Sequence, residues 1–369
     1  GGSQCGYCTP GFIMSLFTAY YKNEVNDESL EGNLCRCTGY LPIRRVAEIV
    51  NHRYPCDQFS ERLKQLNLGF NSIHYLTSDQ QFFCPLQLSE VLKLLQQYPD
   101  AKLVAGATDL GLEISHHRQE FPILISLESV AELLKLKQTS EDVEIGAAIP
   151  LSHLEENLKG IFPSLDEMLS WFAARQIRNR ATIGGNIATA SPIGDLAPVL
   201  LSLDAKLRLA SLTGERIISI ADFFKSYRQT ELQPQEVIVS IIIPKNRTDN
   251  GIVRLSQSYK IGKRGTDDIS IVSAAFTIDL DINNTIIHAR LAYGGVAAIP
   301  IRAMNIETML IGKPWNHATI KTAKFLLKDT FNPLTDLRGS ADYRKRLVAN
   351  LFEKFFIEFS PNLGCNMFG

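Results

Sequence analysis

No stretch of the 369-residue chain approaches eighteen consecutive apolar residues, which excludes a conventional helical membrane span. The opening residues also lack the charged and apolar regions of a secretory signal. Charge of one sign is missing: 38 Lys and Arg stand against 39 Asp and Glu, so there is no electrostatic footprint of nucleic-acid binding. Internal repeats and low-complexity tracts are absent, which leaves two or three ordinary cored domains as the expectation. The G-x-G-x-x-G turn of a Rossmann site does not occur. Cysteine is sparse, and Cys56, Cys84 and Cys365 are too scattered for a disulfide framework, which fits a reducing, cytoplasmic setting.

The other four cysteines are the most informative residues. They form Cys5-x2-Cys8 and Cys35-x-Cys37, two close pairs on either side of one short segment, so they can converge on a single metal centre. Thiolate selects iron–sulfur clusters or zinc. Structural zinc also uses C-x2-C, and unligated core thiols are a further alternative. The one-residue gap of the second pair is tight for two thiolates on one tetrahedral zinc, whereas two irons can each take a pair or share them.

Each pair precedes a predicted helix. Thr9-Pro10 offers an N-cap and an N1 proline, and Phe12, Ile13, Leu16, Phe17 and Tyr20 fall on one stripe. Ile43, Val46, Ala47 and Val50 make a second stripe after Pro42. Residues 1–53 thus read as a compact helical domain. Periodicity is lost over 54–82, which predicts a linker. A helix over Leu88–Tyr98, an apolar strand at Lys102–Ala105 and further alternation predict an α+β domain over 83–246. From 252 to 357 the pattern predicts a smaller α+β unit. It opens on a hairpin, Ile269–Leu280 with Thr285–Tyr293 around Asn283-Asn284, ends in helices from Arg302, and leaves 358–369 as a tail.

Two glycine-bearing loops carry the remaining chemistry. Ala105-Gly106-Ala107-Thr108-Asp109 follows a strand directly, and its small residues leave backbone amides free to approach a phosphate, with Thr108 as a hydroxyl donor. Small-residue turns after strands are more often only turns. A denser constellation runs from Arg178 through Thr182-Ile183-Gly184-Gly185-Asn186 to Ser191 and Asp195. Adjacent glycines permit close backbone approach, and Thr182, Asn186, Ser191 and Asp195 could hydrogen-bond sugar or ribityl hydroxyls of a dinucleotide; a structural turn with a capping Asp is the alternative. Trp171-Phe172 could wall a planar ring, although aromatics at such spacing are usually core. Lys260 and Lys263–Asp268 read as a charged loop region, whose plain interpretation is a solvated loop.

Gln4-Cys5-Gly6-Tyr7-Cys8-Thr9-Pro10-Gly11 with Gly32-Asn33-Leu34-Cys35-Arg36-Cys37-Thr38-Gly39-Tyr40 closely resembles the second 2Fe-2S domain of the molybdenum hydroxylases, the xanthine dehydrogenase and aldehyde oxidase family. Ala181–Ile187 through Asp195-Leu196-Ala197-Pro198 resembles the flavin signature of that family. Pro333–Ser340 with Tyr343-Arg344 resembles its flavoprotein C-terminal domain. The resemblance implies three units: a small all-helical 2Fe-2S domain, an α+β FAD-binding domain of p-cresol methylhydroxylase and vanillyl-alcohol oxidase type, and a smaller α+β C-terminal domain.

The same resemblance implies that Cys5, Cys8, Cys35 and Cys37 ligate one 2Fe-2S cluster, with Gln4 beside a molybdopterin held by a large partner subunit. FAD would lie against Leu103, Val104, Ala105, Gly106, Ala107, Thr108, Asp109 and Leu110, and against Thr182, Ile183, Gly184, Gly185 and Asn186. Asp195 would reach its polar chain, Phe172 would stand near the isoalloxazine, and Ile238 and Lys260 would add contacts. Asp267 matches a loop acid close to the flavin. Electrons would pass from molybdenum through the cluster to FAD and NAD in a heterodimer or dimer of heterodimers. The rivals are an aldehyde-type subunit, a flavin oxidase using oxygen, and a zinc-stapled interaction module with an empty flavin fold. One departure is the missing C-x4-C-x2-C ferredoxin domain, which predicts a truncated chain, the alternative being a cluster supplied by another polypeptide. No extra cysteine group predicts a 4Fe-4S centre.

Overall fold

The computed structural model describes residues 1–23, 25–50, 57–65, 71–245 and 251–360. Two compact units divide the chain: Gly1–Asn71 with Ala174–Asn179, and Ser72–Ala173 with Arg180–Gly369.

The first unit is helical: α1 (Thr9–Lys22), α2 (Leu41–Val50) and α3 (Gln58–Gln65). Its small core joins Phe12, Leu30, Cys35, Ile43 and Ala47. The apolar stripe predicted on α1 is only partly used. Phe12 is buried, but Ile13 and Phe17 are exposed, because so small a core is filled by one edge of the helix. Thr9 is the first helical residue and not the cap; Cys8 takes the cap position with no side-chain bond, and the Thr9 hydroxyl pairs with Ser3. The predicted 54–82 linker contains α3 and the strand β1 (Ile73–Leu76), while residues 54–56 and 66–70 of it lie outside the described residues. The strand escaped notice because every one of its side chains is exposed, which erases the alternation that marks a half-buried strand.

The second unit opens with β1, β2 (Gln81–Cys84), α4 (Leu88–Gln97), β3 (Lys102–Val104), α5 (Leu110–Ser115) and β4 (Ile123–Ser126). The sheet order is β1-β2-β4-β3, with β4 parallel to both β2 and β3. Leu88, Val91, Leu92 and Leu95 fall at i, i+3, i+4 and i+7 and bury one face of α4. Next come β5 (Leu136–Gln138), β6 (Asp142–Gly146), α6 (Leu151–Asn157), α7 (Pro163–Ser170), α8 (Arg175–Arg178, part of the first unit), α9 (Ile183–Ala188) and α10 (Leu196–Ser202). Then follow β7 (Lys206–Ser211), β8 (Gly214–Ser219), β9 (Phe224–Ser226), β10 (Gln229–Thr230) and β11 (Val237–Pro244). An antiparallel sheet runs β5-β6-β11-β7-β8.

The C-terminal part holds β12 (Val253–Ile261), β13 (Val272–Leu280), β14 (Ile286–Gly294) and β15 (Ile301–Arg302) in that spatial order. It ends in α11 (Met304–Leu310), α12 (His317–Leu327) and α13 (Ala341–Glu358). Every residue of β13 is buried. Ala275 and Ala292 join the core shared with α10, while Ala274, Phe276 and Ile278 join the core under α13, so helices on both faces explain the unbroken apolar run. The predicted hairpin is present: Asp281 Oδ1 accepts the amides of Asn283 and Thr285, and Asn284 turns left-handed at φ 56°. Among the described residues no helix is long and apolar enough to cross a membrane.

A charged network ties α10 to the last sheet. Asp204, just after α10, accepts Arg290 Nε on both oxygens at 2.7 and 2.8 Å, Arg302 Nη1 at 3.3 Å, and lies 3.2 Å from His288 Nε2. Burial opposes the charged form, but these partners outweigh it and hold the Asp204 carboxyl down to about 2. Asp336 is likewise held at about 2, its burial outweighed by Arg344 and by the amides of Arg338 and Gly339. A depressed folded-state value means the stabilisation is complete above the unfolded value of about 4 and is lost as pH falls toward 2. Urea midpoints taken at pH 5 and pH 3 should therefore drop for the native chain, and Asp204→Asn should narrow that drop; an undiminished drop in the variant would exclude Asp204 as a source.

Candidate cofactor sites

The four thiols of the first unit meet as two cross-motif pairs, Cys5 with Cys37 and Cys8 with Cys35. Among the described residues no three His, Cys, Asp or Glu side chains converge as a ready-made metal cage. Within each pair one sulfur accepts. The Thr38 hydroxyl, 3.1 Å from Cys35 Sγ, and then the amides of Cys37 and Thr38 bring the Cys35 thiol down to about 7. The amide of Tyr7, followed by the Cys37 thiol, lowers Cys5. Burial raises Cys8, whose thiol bonds Cys35, and the bond to Cys5 raises Cys37. The Tyr40 hydroxyl accepts the Cys35 amide at 3.1 Å and fixes the second motif from behind. Thiolate is the ligating form, so a set of four cysteines with amide and hydroxyl donors aimed at its sulfurs fits an anionic iron–sulfur cluster. Gln4 precedes the set on an exposed stretch.

In the second unit the two glycine-bearing loops are brought together. A Cβ at Gly106 would lie 1.7 Å from Arg180 O, so only glycine allows the 105–109 loop to lie on the chain that leads into α9. Ala107 turns left-handed at φ 59°. Among the described residues the amides of Gly106, Ala107, Thr108 and Asp109 meet no carbonyl or side-chain acceptor, so they are available to an anion. The flanking residues do other work: Leu103 packs against an apolar core, and Val104 O accepts the Leu127 amide at 2.7 Å. Ala105 is half-buried beneath the turn, and Leu110 opens α5 after Asp109.

The second loop is more committed than its composition suggests. Thr182 is buried and caps α9 by accepting Gly185 N at 3.0 Å, while Gly184 N donates to Ala147 O at 2.9 Å and Asn186 N to Thr182 O at 3.0 Å. Ile183 is core. What this loop offers a ligand is the Asn186 side chain, whose Oδ1 is buried without a partner, facing the place a Gly194 Cβ would occupy at 3.7 Å. An orphaned buried acceptor on one loop and free amides on another, brought together where Gly106 lies on Arg180–Ala181, offer polar groups that fit the pyrophosphate and hydroxyls of a dinucleotide.

Asp195 is not the free acceptor that a ribityl contact suggests. Its Oδ2 accepts Lys260 Nζ at 2.8 Å and its Oδ1 accepts Ser270 Oγ at 2.5 Å; Nζ also reaches Thr266 O at 3.3 Å. The two charged side chains are 10% and 2% exposed. Sequence reasoning missed this pair because 65 residues separate its members. Lys260 is therefore no solvated loop cation; it lies on β12 with its charge engaged. Ile238 points into the core, next to a register shift between β11 and β7, which leaves only its backbone for a ligand. Asp267 is exposed, in a turn organised by its neighbour Asp268, which accepts the amides of Lys263 and Arg264. Phe172 packs partly buried against the α7 core, and Trp171 donates to Glu167 Oε1 at 2.9 Å.

Three domain families match along the chain: a 2Fe-2S binding domain over residues 1–48, the FAD binding domain in molybdopterin dehydrogenase over 77–246, and the CO dehydrogenase flavoprotein C-terminal domain over 257–359. Xanthine dehydrogenase 2 of Arabidopsis thaliana is 32% identical over 96% of this chain and 32% of its own length. The chain spans about a third of the length of the curated relatives it matches. Quinoline 2-oxidoreductase from Pseudomonas putida 86 superposes with a TM-score of 0.69 at 26% identity, over 77% of this chain and 97% of that one. A chain of carbon monoxide dehydrogenase from Hydrogenophaga pseudoflava gives 0.70 at 28% identity, over 76% and 96%. With cysteine motif, flavin loops and C-terminal unit all accounted for by one set of domains, the chain belongs to the molybdenum hydroxylase family and carries its 2Fe-2S and FAD-binding portions.

Proposed function

We propose that this chain is the electron-transfer part of a xanthine dehydrogenase-type enzyme, taking electrons from a molybdopterin-binding partner subunit through 2Fe-2S to FAD and on to NAD. The observation that carries the reading is the close approach of the 105–109 loop, with its free amides, to the Arg180–Ala181 chain that leads into α9 and the orphaned Asn186 Oδ1, in a chain that also carries the four paired thiols. The relatives named xanthine dehydrogenase support the substrate, and the match to the FAD binding domain in molybdopterin dehydrogenase supports a molybdopterin-binding partner. A cytoplasmic heterodimer, or a dimer of heterodimers, is the assembly proposed.

When bound, the cluster supplies single-electron transfer and the flavin supplies hydride exchange. The residues of this chain hold and orient. Cys5, Cys8, Cys35 and Cys37 hold the cluster, with Thr38 and Tyr40 fixing the second motif. The amides of Gly106–Asp109 and the Thr108 hydroxyl bind pyrophosphate, and Asn186 hydrogen-bonds the sugar chain. Asp195, immobilised by Lys260 and Ser270, presents its remaining lone pairs to hydroxyls. Phe172 walls one side, and Gln4 faces the partner's cofactor.

Absorption of the purified chain tests this directly. Flavin bands over broad iron–sulfur absorption are expected. Cys35→Ser should remove most of the iron–sulfur component and leave one flavin per chain; bound zinc in place of iron would overturn the relay. Reconstitution with its partner and assay on xanthine with NAD or oxygen tests substrate and acceptor.

A further inference from the structure

The Asp336-Leu337-Arg338-Gly339-Ser340 and Tyr343-Arg344 motif has no part in the site described above. Its structure is specific. Ser340 caps α13 by accepting Tyr343 N at 3.2 Å, and Thr335 Oγ1 accepts Ala341 N at 2.9 Å, so the loop enters the helix in one fixed geometry. That places Arg344 in the first turn of α13, pointing into the protein, 2% exposed. Its Nη2 donates to Asp336 Oδ1 at 2.7 Å. Its Nη1 donates to Ile271 O and, at 2.8 Å, to Gly295 O.

Both carbonyls belong to segments that hold the flavin loop. Gly295 donates its own amide to Pro192 O at 2.7 Å, three residues before Asp195. Ile271 follows Ser270, whose hydroxyl donates to Asp195 Oδ1. One guanidinium thus clamps the two supports of Asp195 from behind, and the packing leaves no slack. A Cβ at Gly295, which has φ 81°, would lie 2.4 Å from Ile271 O and 3.1 Å from Arg344 Nη1. On the outer side Lys263 Nζ donates to Leu337 O at 2.9 Å, which ties the same motif to the 263–268 turn.

We propose that Arg344 is a positioning residue for the FAD site, setting Asp195 and the 192–195 loop through Gly295 and Ile271. The proposal rests on the FAD reading given above. A lysine cannot span Asp336 and two carbonyls in a fixed fork, so Arg344→Lys keeps the charge and loses the clamp. The control is Phe356→Leu, about three turns further along the same helix and buried against Trp315 at 5.2 Å.

The expected result is about tenfold weaker FAD binding in Arg344→Lys, by analogy with the loss of other supporting-shell contacts. It should come with a shifted flavin absorption band and faster hydrogen exchange at the Gly295 amide in cofactor-free protein. Phe356→Leu should lower the melting temperature while leaving all three unchanged. If Arg344→Lys fails to fold, Asp336→Asn, which takes the charge from the outer contact and from the Arg338 pair while keeping an amide oxygen for the loop amides, gives the same readouts in weaker form. Wild-type exchange at Gly295 and undiminished FAD binding in Arg344→Lys would overturn the proposal, as would equal losses in both variants. Failure of the native chain to bind FAD would instead overturn the FAD reading, and the exchange comparison would still decide whether Arg344 positions this loop.

Discussion

Gly106→Ala is expected to yield protein that keeps its iron–sulfur absorption and loses its flavin. The added Cβ would lie 1.7 Å from Arg180 O, 2.4 Å from its carbonyl carbon and 2.9 Å from Ala181 N, and all three atoms are backbone. No rotamer change relieves such a contact. The Arg180–Ala181 chain is itself fixed, because Ala181 O accepts the Leu151 amide at 2.8 Å and Thr182 bridges to Pro150. The 105–109 loop must therefore yield, and it contains Ala107 already in the left-handed region. Overpacking of this kind costs about 1–3 kcal/mol of stability. Misplacing the amides by about 1 Å should weaken FAD binding on the order of a hundredfold. Gly111→Ala is the matched control. Its Cβ meets nothing within 4 Å, and its place inside α5 makes alanine neutral or mildly stabilising. The ratio of flavin to iron in the purified variants reads both, and a full flavin complement in Gly106→Ala would refute the close approach of these loops.

The elements legible in the sequence are those whose periodicity is enforced by a core on a known side. α4 shows it at i, i+3, i+4 and i+7, and β13 shows the unbroken run of a strand covered on both faces. β1 pairs residue by residue with β2, yet Ile73, Tyr75 and Leu76 are exposed and nothing selects their spacing. The site divides the same way. Cysteine spacing and paired glycines are local signals, so the thiols and the two loops could be found. Thr182 combined a legible residue with an illegible role, since its hydroxyl serves the α9 cap. Asp195 needed partners on β12 and at residue 270, and Arg344 needed carbonyls at 271 and 295. Such pairings arise only when three distant segments fold together, and no window of sequence contains them.

Lys260→Met should be the most destabilising single substitution near the flavin loops, at about 3–5 kcal/mol, because it leaves the Asp195 carboxylate buried without its cation. Ser270 Oγ still donates to Oδ1, but a neutral hydroxyl offsets only part of the desolvation of a charge. Replacing both partners, as in Asp195→Leu with Lys260→Met, removes both desolvation penalties and should recover most of that loss. A double-mutant cycle in urea, read by intrinsic fluorescence, gives the coupling directly. Cofactor binding should behave differently from stability. If Asp195 presents its free lone pairs to the sugar chain, the double variant recovers its urea midpoint and stays deficient in FAD, whereas a purely structural pair would let both return together. A Lys260→Met midpoint close to the native one would show instead that water reaches the carboxylate. In that case the charge at this point of the flavin loop is held by solvent, and Lys260 is dispensable to it.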